Sequence, residues 1–232
     1  MELIKKLGRI FLPKPLRASL QARYREVIFR SAMKSFMKDP SAAIRGDRRI
    51  LTRLIYGWGN EGWSALEEYL TASLQRVSTC RGAILECGSG LSTILAGIVA
   101  QQAGNSIWSL EHNRTWGDRV RKCLELYGIR SVLLLDAPLR DYGKFSWYDV
   151  QTEQLPEEFS VILCDGPPGE TRGGRYGLVP VMGTHIKGGT VILLDDAGRA
   201  DEQSIAACWE KELNATVRRI GEQKPYFEIV VP

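Results

Sequence analysis

Between Glu86 and Thr93 the chain sets an acid, two glycines and two hydroxyl side chains close together, in the order Glu86-Cys87-Gly88-Ser89-Gly90-Leu91-Ser92-Thr93. Glycines at 88 and 90 let the backbone take positive φ and let a ligand approach where a Cβ would clash. The free N–H groups of a helix starting just after them would face an anionic group. A dinucleotide fingerprint needs a third small residue at position 93, and Thr93 stands there. An acid before the first glycine and hydroxyls after the second suit a ligand with one ammonium and one carboxylate better than a pyrophosphate. Glu111 follows after about 20 residues, the spacing at which an acid can accept hydrogen bonds from both hydroxyls of a ribose. An acid at the end of an apolar strand costs several kcal/mol unless paired, so Glu86 and Glu111 each call for a partner. Further along, Asp165-Gly166-Pro167-Pro168-Gly169 and Asp195-Asp196 put more acids at the ends of apolar runs.

These residues need a parallel sheet to bring them together. Apolar runs ending in acids occur at 84–87, 106–111, 132–137, 159–165 and 189–196, as expected for strands buried on both faces with a crevice at their carboxyl ends. Helical spacing fills 91–103, 115–127, a stretch near 176–186 and 202–213, which predicts a doubly wound α/β sheet. Two late strands near 216–221 and 226–231, joined by Gln223-Lys224-Pro225, predict an antiparallel hairpin at one edge.

From about Asn60 to Pro232 the chain resembles the class I S-adenosylmethionine-dependent methyltransferases. Glu86 to Gly90 looks like the first motif, Glu111 like the ribose acid, Asp136-Ala137 like the pair beside adenine and Asp165 like the acid facing the transferred methyl. The resemblance implies a seven-stranded Rossmann-like sheet with S-adenosylmethionine as cofactor. It also implies a methionine-carboxylate contact from Ser92, a helix cap being the other role for that residue, and contacts from Glu61 in a short segment that closes over the cofactor. Two branches are nearest. In the catechol-type O-methyltransferases a divalent ion sits on positions matched by Asp165, Asp195 and Asp196, and three carboxylates completed by water suit Mg²⁺ or Mn²⁺. Strand-tip acids that merely cap loops are the competing reading. That branch's lysine base has no counterpart, because Pro168 stands there. In the glycan O-methyltransferases D-G-P-x-G is followed by an arginine, matched by Asp165 to Gly169 and by Arg172 or Arg175. The implied reaction is methyl transfer to a saccharide or another small hydroxylated acceptor. An NAD(P)-dependent oxidoreductase and a non-catalytic nucleotide-binding module are the alternatives.

Arg175, after Gly173-Gly174, is expected on a hinge where its cation can bind an acidic sugar's carboxylate. His185 is a candidate base, with a helix-terminal structural role as the alternative. His112 is expected to line the adenine pocket. The aromatic insertion at 140–149 is read either as a sugar-stacking loop or as a cover. Trp58 and Trp63 are read as pocket wall or packing.

The 232 residues contain 44% hydrophobic side chains, enough for one sizeable core. Residues 1–55 are read as a basic helical extension and 56–232 as the catalytic domain. The first 50 residues hold 13 Lys or Arg against 4 Asp or Glu. Leu16, Leu20, Tyr24, Val27 and Ser31, flanked by Ile28, Met33, Phe36 and Met37, suggest an amphipathic helix. Packing on the domain or in a homodimer, peripheral contact of residues 1–38 with anionic lipid, and a nucleic-acid arm compete for it. The base-methylation signature N-P-P-Y or D-P-P-Y is absent, which counts against nucleic acid. No signal peptide is evident, no apolar run is long enough to span a bilayer, and five cysteines form no C-x-x-C pair. The expectation is a reduced, cytoplasmic protein.

Overall fold

The computed structural model describes residues 13–60 and 62–232. Four helices lead into the sheet: α1 (Lys14–Lys38), α2 (Ser41–Ile44), α3 (Arg48–Trp58) and α4 (Glu67–Thr79). Then come β1 (Ile84–Cys87), α5 (Leu91–Ala103), β2 (Ile107–Glu111), α6 (Arg114–Leu126) and β3 (Val132–Asp136). A ribbon of β4 (Leu139–Asp141) and β5 (Ser146–Tyr148) precedes β6 (Val161–Cys164), α7 (Leu178–Met182), β7 (Val191–Leu194), α8 (Ala200–Glu212), β8 (Thr216–Ile220) and β9 (Tyr226–Val230).

The main sheet has seven strands in the order β3-β2-β1-β6-β7-β9-β8. β9 runs antiparallel to β7 and to β8, which makes the expected terminal hairpin. The chain winds outward from β1 to β3 and returns to place β6 beside β1, so the carboxyl ends of β1 and β6 flank the crevice of a doubly wound sheet. Side chains alternate across the central strands. Ile84, Val161 and Leu193 join the apolar cluster that includes α3 to α6, whereas Leu85, Ile162, Cys164 and Ile192 join the one that includes α7 and α8. β3 departs from the expectation of burial on both faces. It is the edge strand, and Leu133 is exposed. The stretch near 176–186 is one short helix, α7, between 3₁₀ turns at Gly174–Gly177 and Gly183–His185.

The helix forms, and of the residues expected on its apolar side Met33 and Phe36 are buried while the leading stripe is not. Phe29, Ala32, Met33 and Phe36 pack with Leu51, Leu54, Ile55 and Trp58 of α3 in the same cluster as Leu70 and Ile94. Leu16, Leu20, Tyr24 and Val27 are all exposed. The physical reason is partner geometry, because the opposite face of the helix is the one that meets α3. No described helix is long and apolar enough to cross a membrane. All five cysteines are free.

Candidate functional site

β1 ends at Cys87, and Gly88 turns the chain with φ +89°. A Cβ at Gly88 would lie 3.0 Å from the Gly166 nitrogen and 3.1 Å from its Cα, so this glycine lets the turns after β1 and β6 touch. Gly90 differs. Its φ of 177° is ordinary extended backbone, and a Cβ there would meet nothing within 4 Å. The protein itself leaves that space open, and the first turn of α5 faces it, with Ser89, Gly90, Leu91 and Ser92 all on the cavity wall.

Glu111 ends β2 at the same wall. Its Oε2 accepts from the Ser89 amide at 3.1 Å and from Ser89 Oγ at 2.6 Å, and its Oε1 accepts from the Asn113 amide at 2.7 Å, with His112 Nδ1 at 3.3 Å. Burial pushes this carboxyl up, but the donors from His112, Ser89 and Asn113 outweigh it and hold it below its ordinary value. Trp116 Nε1 donates to the Ser89 carbonyl at 2.8 Å, which fixes the turn from the other side.

Glu86 is placed otherwise than expected. It does not line the cavity. Its carboxylate is 1% exposed and accepts from Ser92 Oγ at 2.7 Å, Thr93 Oγ1 at 2.6 Å and Ser109 Oγ at 2.6 Å. The partner its burial demanded is a set of three hydroxyls that tie β1, β2 and the start of α5 together. Thr93 Oγ1 also receives the Gly90 amide at 2.8 Å, so the residue where a dinucleotide site needs glycine is occupied by this clamp. Burial raises Glu86 to about 6 against the lowering effect of the three hydroxyls. Because the folded value lies above the ordinary 4.5, the folded state binds the proton more tightly. Stability contributed by the protonated group is present below pH 4.5 and is lost as pH rises through 6. The loss is about 2 kcal/mol at most. Glu86→Gln is expected to flatten this slope in urea titrations between pH 4.5 and 6.5; an unchanged slope would assign it to another group.

Asp165, Asp195 and Asp196 come together as anticipated, each with a carboxylate oxygen within 4.8 Å of the others. Two cations already occupy the cluster. Arg175, 2% exposed, donates to the Asp165 carbonyl at 2.9 Å, Asp165 Oδ1 at 3.1 Å, the Asp195 carbonyl at 2.8 Å and Asp196 Oδ2 at 2.8 Å. Lys224 Nζ lies 2.9 Å from Asp195 Oδ2 and 3.2 Å from Asp196 Oδ1. Arg199 and Glu202 complete the network. Burial and the nearby Asp195 raise Asp165 to about 8, against the pull of Arg175 and Lys224. Burial also works to raise Asp196, but Arg175 and Lys224 hold it below the usual carboxylate value. The carboxylates suit a hard divalent ion in kind but not in arrangement, since a fixed guanidinium lies against two of them. Arg175 is therefore not the hinge-borne cation expected for an acceptor's carboxylate. Gly173 and Gly174, both at positive φ, turn the chain so that the side chain is buried under the site.

His185 is not beside the cavity. Its Nδ1 is 2.7 Å from the Pro156 carbonyl and its ring packs on Phe159, ahead of β6 and β7 and so at the opposite edge of the sheet from the strand tips. That placement removes it as a base. Asp136 pairs with Arg121 at the tip of β3, and Ala137 is buried beside it; neither lines the cavity. His112 does line it, as does Tyr148, whose ring lies 6.3 Å from that of His112. Trp147 is fully buried against Gly177 and offers no face for a sugar. Trp58 and exposed Trp63 both border the cavity, and Trp58 also packs on Trp116. Glu61 lies outside the described residues. Sequence reading missed Lys224, Tyr148, Arg199 and Glu202. Only the excess of acids at the strand tips signalled that cations such as Lys224 must come from elsewhere.

The cavity these groups enclose measures about 700 Å³ and opens at the carboxyl ends of β1, β2, β6 and β7. Solved structures share this fold. The O-methyltransferase from Bacillus cereus in complex with SAH superposes with a TM-score of 0.56 at 14% identity, covering 100% of this chain and 98% of that one. This is the methyltransferase fold. The SAH-bound methyltransferase of Podospora anserina gives a TM-score of 0.55 at 16% identity over 96% of this chain and 98% of that one. Precorrin-6y C5,15-methyltransferase from Geobacter metallireducens gives 0.52 at 16% identity over 72% and 88%. No family model matches the chain. No curated protein matches it either.

Proposed function

We propose that the chain is an S-adenosylmethionine-dependent O-methyltransferase acting on a saccharide or another small hydroxylated acceptor. The observation that carries the reading is the wall formed by Glu111 and the glycine turn, with a space in front of Gly90 that no protein atom fills. The cofactor, when bound, supplies a methyl group on a sulfonium for in-line displacement. The chain's own work is then positioning and proton removal. Glu111, already ionised and rigidly held, accepts the ribose hydroxyls. The first-turn amides of α5, that of Ser92 among them, receive the methionine carboxylate, since the Ser92 hydroxyl already donates to Glu86. Asp165, the most exposed of the three aspartates, faces the transfer and takes the acceptor's proton in its ionised form, which its raised value of about 8 makes the predominant one only in mildly alkaline solution. Tyr148 and Trp63 wall the acceptor side. Thr93 in the Glu86 clamp argues against the NAD(P) alternative.

Calorimetric titration of S-adenosylhomocysteine tests this reading, with Gly90→Ala as the discriminating variant. Because a Cβ at Gly90 meets no protein atom, the variant is expected to keep the wild-type melting temperature while weakening the ligand by about tenfold, or 1.4 kcal/mol. Equal affinity in both proteins would mean that the open space does not hold the cofactor. Wild-type affinity for NADH in place of S-adenosylhomocysteine would transfer the site to the oxidoreductases. Tight binding without turnover on any hydroxylated acceptor would leave a binding module.

A further inference from the structure

We infer that Arg175 and Lys224 take the place of a divalent ion, so that the Asp165–Asp195–Asp196 cluster is neutralised from within and the transfer is independent of metal. The inference uses the proposed methyl transfer only to say what the cluster serves; the charge arrangement stands without it. Arg175 cannot step aside. It is buried, it is pinned by two backbone carbonyls as well as by Asp165 and Asp196, and a guanidinium does not lose its proton. Lys224, on the β8–β9 connection, closes the other side with Asp195 and Asp196.

An ion bound by these aspartates must draw their oxygens to about 2.0–2.2 Å, which turns them away from the two cations and sets a double charge beside both. Two buried oxygens of the network, Asp195 Oδ1 and Glu202 Oε2, have no hydrogen-bond partner, whereas Asp165 Oδ1, Asp195 Oδ2 and the Asp196 oxygens that an ion would need are already held by Arg175 and Lys224. Arg175, Lys224 and Arg199 already face the carboxyl groups of Asp165, Asp195, Asp196 and Glu202, so a divalent ion would add positive charge to a cluster that has its counter-ions.

The test titrates Mn²⁺ into the full chain by calorimetry and electron spin resonance, and S-adenosylhomocysteine with and without EDTA. The wild type is expected to show no saturable Mn²⁺ binding and an S-adenosylhomocysteine affinity unchanged by EDTA. Lys224→Ala frees the outer carboxylates and is expected to bind Mn²⁺ at least about tenfold more tightly than wild type, while Lys224→Arg still excludes it. Saturable Mn²⁺ binding by wild type that disappears in Asp195→Asn overturns the inference. Absence of any gain in a folded Lys224→Ala, checked by its thermal melt, removes Lys224 from it. Failure of the protein to bind S-adenosylhomocysteine at all would overturn the methyltransferase reading instead, and the Mn²⁺ arm reads separately from that result.

Discussion

Replacing Arg175 with methionine is expected to cost about 3–5 kcal/mol of folding stability, read from urea denaturation, because it strands buried carboxylates that the guanidinium now neutralises. The effect differs in kind from the one a surface hinge would give. A cation waiting for an acceptor would raise KM and leave the fold alone; Arg175 instead joins the ends of β6 and β7 through two carbonyls, two aspartates and the nearby Glu202. Lysine is not an adequate replacement, since one ammonium cannot reproduce a planar fork that donates in several directions. Arg175→Lys should therefore recover only part of the loss. A denaturation midpoint for Arg175→Met equal to that of wild type would show that the network is dispensable.

The second large effect is on the cofactor. Glu111→Ala is expected to weaken S-adenosylhomocysteine by about ten- to a hundredfold, since each hydrogen bond to a charged acceptor contributes roughly 1.5–3 kcal/mol. In the proposed reading Glu111 has two duties, because the carboxylate offered to a ribose also holds the Ser89 and Asn113 amides. Glu111→Gln separates them. The amide oxygen can keep one backbone donor, so the turn is retained better than in the alanine variant while the ribose contact is weakened. Wild-type affinity in Glu111→Ala would mean that the ribose assignment is wrong. A fall in melting temperature without a fall in affinity would reduce Glu111 to a structural role.

Much of this site is legible along the chain because its parts are local. A strand, a glycine turn and a helix follow one another within a few residues, so Gly88, Gly90 and Ser92 announce the turn that borders the cavity by spacing alone. Apolar runs ending in acids place Glu111, Asp165, Asp195 and Asp196 at strand tips, and a parallel sheet aligns strand tips by construction. The order of strands and helices, with the late hairpin, likewise follows from hydrophobic patterning.

What spacing cannot convey is which side chain meets which across the fold. Glu86 and Glu111 are both acids at strand ends. Only strand register turns Glu86 inward to the hydroxyls of Ser92, Thr93 and Ser109, and Glu111 outward to the cavity. His185 reads as a candidate base until the sheet puts it at the wrong end of the strands. Helix α1 carries two apolar ridges, and only the position of α3 selects Phe29, Met33 and Phe36 over Leu16, Leu20 and Tyr24. The charge balance of the aspartate cluster depends on Lys224, which the β8–β9 connection delivers from far along the chain. The sequence by itself determined the fold, the turn and the acids at the strand tips, since local patterning encodes them. The tertiary structure decided which acids face the cavity and which meet a cation or hydroxyls, because that depends on contacts between residues distant in sequence.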